Sequence, residues 1–102
     1  MLDIKPNCEC CDCDLPAHSE QAYICSYECT FCLDCVSTLL ENVCPNCGGG
    51  FTPRPIRPST AYRPGVSLQH HPASTQRVHT EYSRTELCDF SLNIKDIAPE
   101  KR

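Results

Sequence analysis

The chain has no tryptophan, one methionine and only seven aromatic residues among 102. Bulky side chains therefore cannot fill a conventional core. The 40% apolar share overstates the core material, because 11 of the residues counted are cysteine. No apolar run approaches the length of a membrane span, and the opening MLDIKPNCECC lacks the basic start and apolar stretch of an export signal. These absences predict a small cytoplasmic chain whose thiols stay reduced. Below about 60 residues an apolar core alone is marginal, and metals or disulfides make up the difference. Disulfides belong mainly to exported chains, and an odd cysteine total closes no complete framework. Metal ligation is the use that fits.

Six cysteines lie in the 23 residues CSYECTFCLDCVSTLLENVCPNC, from Cys25 to Cys47, and CECCDC precedes them at Cys8 to Cys13. Eight fall into pairs: Cys8 with Cys11, Cys25 with Cys29, Cys32 with Cys35, and Cys44 with Cys47. Gaps of two or three residues let a tight turn aim two thiolates at one tetrahedral ion, so four pairs predict two zinc ions per chain, each held by four thiolates. Within CECCDC the spacing leaves a choice, since Cys10 and Cys13 have the same gap as Cys8 and Cys11. Sites closed by four thiolates keep no position for water, which makes their metals structural. No set of hydroxyl, imidazole and carboxylate is placed for nucleophilic work and no phosphate loop is present, so no catalytic residue is assigned and the chain is not expected to be an enzyme.

Charge is divided unevenly. Residues 1–47 carry one base, Lys5, against eight acids, a net −7, whereas residues 48–102 carry eight bases against five acids, a net +3. Each zinc with four thiolates adds a further −2 to the first half. Such a surface repels phosphate, which argues against nucleic-acid binding.

The pattern around the cysteines predicts a small irregular α+β domain at residues 1–50. Gln21 to Ile24 reads as a strand leading to Cys25, with a second strand after the turn completing a hairpin. Val36, Leu39, Leu40 and Val43 recur at helical spacing and predict a helix at about residues 33–42. Beyond Gly50, prolines interleave with arginines and no period persists, so residues 51–102 are expected to be a mostly disordered tail. Within it, Arg54 to Pro58 reads as a solvated linker or a ligand for an acidic or aromatic-lined groove, and Leu87 to Ile97 as a possible short strand. Cys88, His18, His70 and His71 find no ligand partners in the sequence.

The array from Cys8 to Cys47 resembles the RING finger and its treble-clef relatives, with Cys29 where many RING fingers carry histidine. That resemblance implies interleaved pairing, with Cys8, Cys11, Cys32 and Cys35 on one ion and Cys25, Cys29, Cys44 and Cys47 on the other. It also implies that the two sites stand or fall together. RING ubiquitin ligases use an apolar residue after the first ligand and often a basic residue after the last. Glu9 and Gly48 occupy those positions, which weighs against ligase activity. NCECCDCDLP, AYICSYECTFCLDC and CPNCGG followed by a Pro/Arg-rich segment resemble more closely a family of small bacterial proteins recorded as a domain of unknown function. The likeness spans about residues 1–58 and continues weakly through HPASTQRV, residues 71–78. It implies zinc binding and favours Cys8 and Cys11 as ligands. Cys25-x3-Cys29-x2-Cys32 also matches the radical-SAM cluster triad, but 102 residues cannot build most of the large barrel that such enzymes need. The expectation is a non-enzymatic zinc module that recruits a protein partner. The alternative is a zinc–thiol redox switch using the surplus cysteines.

Overall fold

A computed structural model describes all residues, 1–102. The elements that position the cysteines are short. Strand β1, Ala22–Ile24, pairs antiparallel with β2, Thr30–Cys32, setting Tyr23 opposite Phe31. Strand β3, Thr52–Pro53, joins the free edge of β1, giving the order β2-β1-β3. The hairpin places Cys25 and Cys29 in the turn between its strands and Cys32 at the end of β2. Glu28 takes the left-handed conformation there, at φ 67°, which tightens the turn.

Helix α1, Leu33–Thr38, starts directly at Cys32, whose sulfur caps it by accepting the Cys35 N–H at 3.4 Å. It is shorter than the predicted helix. Glu41 and Asn42 both adopt positive φ, at 47° and 62°, so the chain turns back after Leu40 instead of continuing. The apolar spacing still has its effect, because Val36, Leu40 and Val43 are all buried. Phe31 is fully buried and meets Phe51 edge-on at 5.4 Å between ring centroids. Around it, Leu15, Ala22, Val36, Leu40 and Leu87 pack with the sulfurs of Cys8, Cys25, Cys32, Cys35 and Cys44. The core is therefore partly sulfur, as the scarcity of aromatic residues requires.

The second half departs from expectation in three places. Arg84–Ile94 forms helix α2, where loose alternation had suggested a strand at Leu87 to Ile97. Its start is a capping box: Ser83 Oγ accepts the Glu86 N–H at 3.2 Å, and Glu86 accepts the Ser83 N–H at 3.1 Å. Leu87 and Ser91 face the core, and Ser91 Oγ donates to the Leu40 carbonyl at 2.8 Å.

Arg54, expected in a solvated linker, is only 4% exposed. Its guanidinium donates to the carbonyls of Lys5, Leu15 and Pro16 at 2.8, 3.2 and 3.0 Å, because those carbonyls have no strand partner of their own. Burial lowers its pKa from the usual value. Arg57 likewise bridges the carbonyls of Leu2 and His71.

Residues 74–80, without helix or strand, are strapped over the first cysteine loop. Ser74 N–H donates to the Ile4 carbonyl and Thr80 N–H to the Glu9 carbonyl. Asn7 exchanges two hydrogen bonds with Val78, while Arg77 pairs with Asp12 and Asp14. The strap overlaps residues 71–78, which carry the weaker part of the sequence likeness. No helix is long and apolar enough to cross a membrane.

Candidate metal centre

The cysteine loops are built from backbone hydrogen bonds to sulfur. Cys8 Sγ accepts the N–H groups of Cys10 and Cys11 at 3.4 and 3.5 Å. Cys25 Sγ accepts from Tyr27 at 3.3 Å, and Cys32 Sγ from Cys35 at 3.4 Å. Cys44 accepts from Asn46 and Cys47, and Cys47 from Gly49 at 3.4 Å. The first sulfur of every pair thus accepts at least one backbone N–H. Gly48 closes the last loop at φ 79°, a conformation that glycine adopts without strain.

The pairs gather in interleaved order. Sulfurs of Cys8, Cys11, Cys13 and Cys32 all lie within 4.8 Å of one another, and so do those of Cys25, Cys44 and Cys47. Two cysteine groups could therefore hold metal ions, one joining the first and third pairs and the other the second and fourth. Cys35 adjoins the first group through its thiol contact with Cys32. Cys29 adjoins the second through contact with Cys25 and a hydrogen bond with the Asn46 side chain. Cys13, absent from the ligand set expected from the sequence, is drawn in because the loop closes tightly. Cys8 N–H donates to the Cys13 carbonyl at 2.9 Å, and Asn7 bridges to Asp14 in a two-stranded contact. Overlapping gaps in CECCDC hid this, since spacing is blind to which sulfurs a loop closure brings inward.

The donor set fits a tetrahedral thiolate site. A Zn–S bond of about 2.3 Å gives a tetrahedron with edges of about 3.8 Å, and Cys11 and Cys32 already stand 3.7 Å apart. Without an ion the arrangement is costly to ionise. Burial pushes the Cys8 thiol up to about 11, even against its N–H donors. Burial, then the neighbouring charge of Cys8, holds Cys35 well above the ordinary thiol range. Burial does the same to Cys44, with Cys29 and Cys25 adding to it. A divalent cation reverses this balance, because a coordinated thiol is deprotonated.

Glu9, placed after the first ligand, is 4% exposed. Its carboxylate accepts the Thr30 N–H at 2.6 Å and pairs with Lys5 at 3.3 Å. It is enclosed by the fold and offers no apolar contact to a partner. His18, His70 and Cys88 join neither sulfur group.

These features define a small α+β domain with an antiparallel three-stranded sheet and two cysteine groups able to hold metal. Residues 1–57 match the family described as protein of unknown function (DUF1272), and the chain belongs to that family. The matched stretch contains all ten cysteines of the two groups and their flanks, together with β3, Arg54 and Arg57. An uncharacterized protein of Rhizobium meliloti (strain 1021) is 53% identical over 78 residues, covering 76% of this chain and 86% of that protein. No solved structure matches.

Proposed function

We propose that the chain is a non-enzymatic zinc-binding module whose two ions are structural and whose role is to recruit a protein partner. The observation that carries this reading is the interleaved gathering of the four cysteine pairs, each with N–H groups donated to sulfur. Thiolate ligands favour zinc among the abundant divalent ions, and a reducing compartment such as the cytoplasm keeps them available. The ligands are Cys8, Cys11, Cys32 and Cys35 at the first site and Cys25, Cys29, Cys44 and Cys47 at the second. Bound zinc would cross-link distant parts of a chain whose apolar core is too small to hold them, and would leave no open position for catalysis.

The face suited to a partner lies beside α2. A groove of about 380 Å³ is lined by Pro45, Tyr82, Leu87 and Phe90, with Glu86 and Asp89 at its rim. Its chemistry suits a basic peptide bearing an apolar anchor.

Elemental mass spectrometry of the isolated chain, with its visible spectrum, tests the metal reading. Two zinc ions and no colour are expected, whereas iron with a brown colour would replace structural zinc by a redox cluster. A zinc–thiol redox switch is the second reading, favoured by the surplus thiols at the first site, Cys13 within its sulfur group and Cys10 beside it. It requires zinc release under mild peroxide, measured with a metal-sensitive dye.

A further inference from the structure

Six of the eleven cysteines stand in or beside the first sulfur group, two more than a tetrahedral ion takes. Four of them, Cys8, Cys11, Cys13 and Cys32, are mutually within 4.8 Å. The remaining two, Cys35 and Cys10, continue the cluster on its other side: Cys35 touches Cys32, and the Cys10 thiol is hydrogen-bonded to that of Cys35. Cys32 is the hub. It stands 3.7 Å from Cys11, meets the thiols of Cys13 and Cys35, and lies close enough to Cys8 and Cys10 to affect their charge.

From this geometry we infer that the first cysteine group holds two thiophilic divalent ions sharing the Cys32 sulfur, so that the saturated chain carries three ions. This deepens the zinc reading above and rests on it. Two tetrahedral ions need eight metal–sulfur bonds, which six sulfurs provide only if two are shared. Cys32 is one shared sulfur. The other is Cys8, which acts on Cys35, or Cys11, which acts on Cys10. When the additional ion enters, Cys13 takes the place on the first ion that Cys35 holds in the two-ion chain, and Cys10 and Cys35 become terminal ligands of the additional ion.

Charge does not oppose the additional ion. One divalent ion with four thiolates and two thiols carries −2. Two divalent ions with six thiolates also carry −2, so the second enters as two protons leave. The oxidation state of sulfur and metal is unchanged. Access is open, since Cys10, Cys11 and Cys35 line a cleft of about 330 Å³ shared with His79 and Arg84.

Cadmium, a thiophilic divalent probe, tests the inference in the isolated full-length chain. Reduced protein is exchanged into Cd(II) without oxygen, titrated past two equivalents, and its bound ions counted by native mass spectrometry. Three ions are expected for the natural chain and for Cys88→Ser, and two for Cys10→Ser. Cadmium-113 spectra of the natural chain are expected to show scalar coupling between two of the three ions, a readout independent of any variant's folding. Saturation at two ions, three uncoupled signals, or a third ion retained by Cys10→Ser would overturn the shared-sulfur cluster. Fewer than two ions in the natural chain would instead overturn the underlying zinc reading.

Discussion

The Glu9 carboxylate reaches from the first cysteine loop to the Asn46 amide between Cys44 and Cys47, 3.4 Å away. Asn46 in turn bonds Cys29. A residue flanking the first sulfur group is thereby tied to the second, in addition to the hairpin that serves both. The same carboxylate accepts the buried Thr30 N–H and pairs with Lys5. Replacing Glu9 by Ala leaves that N–H without a partner, which costs about 1–3 kcal/mol. Urea denaturation of the metal-loaded protein should show the loss as a lower midpoint. An unchanged midpoint would mean that the carboxylate is not part of the connection.

Interleaving makes the sites interdependent. Cys44 is fully buried and packs in the same core cluster as Cys8, Cys32 and Cys35. Cys44→Ser should therefore lower the metal content at both sites and not at the second alone, with loss of the dispersed amide spectrum. A strong chelator should unfold the natural chain in one transition. Clean retention of the first site's metal in Cys44→Ser would show two independent halves.

Acid should strip the metal. In the metal-free site burial raises the Cys8 thiol to about 11, and raises Cys35 and Cys44 as well, so these groups hold protons at neutral pH. Metal binding must expel those protons. Apparent affinity consequently rises with pH and keeps rising until the raised values are passed, by about tenfold per pH unit for each proton displaced. Because coordination pulls the bound thiolates far below their unfolded value, the stability that metal confers is present at neutral pH and lost as pH falls. Competition with a chromophoric chelator between about pH 6 and pH 8 measures the slope. A flat profile would exclude thiol ligation.

How much of this was legible in the sequence follows from how local each signal is. The paired cysteines read directly, because each pair is one turn of backbone, and the β1–β2 hairpin followed from the segment between them. The interleaving came from resemblance, since nothing in the spacing says which turns meet. Cys13 was left as an alternative ligand, because it lies in the same loop as the pair it joins and has the same gap to Cys10. Helix α2 did carry a local mark, the Ser83-x-x-Glu86 capping box, obscured by the alternation of Leu87, Phe90 and Leu92 in a helix with little apolar contrast. The role of Arg54 was not legible at all. Its partners, the carbonyls of Lys5, Leu15 and Pro16, are backbone groups whose need for a donor appears only after folding.

That dependence makes Arg54 a strong test. Substitution by Met keeps much of the packing but leaves the Lys5 and Leu15 carbonyls without a donor, whereas the Pro16 carbonyl keeps the Ser19 N–H at 2.8 Å. The expected loss is at least about 2 kcal/mol, seen as a lower urea midpoint in metal-loaded protein. Arg54→Lys should recover only part of it, because one ammonium cannot match the planar fork. Full recovery by Lys would reduce the contribution to charge alone.

Helix α2 rests on fewer contacts than the cysteine loops: buried Leu87, the Ser91 bond to Leu40, and an exposed pair between Lys95 and Glu41. Leu87→Ala removes the main apolar contact, at about 2–5 kcal/mol if the helix stays docked. The helix can instead detach, because its only cysteine, Cys88, belongs to neither sulfur group. Amide exchange should then rise across Arg84–Ile94 while the metal content of the chain stays unchanged. Ser83→Ala, which removes half of the capping box, should shift exchange in the same direction by about 1 kcal/mol. Metal loss in Leu87→Ala would mean instead that α2 is part of what holds the first sulfur group together.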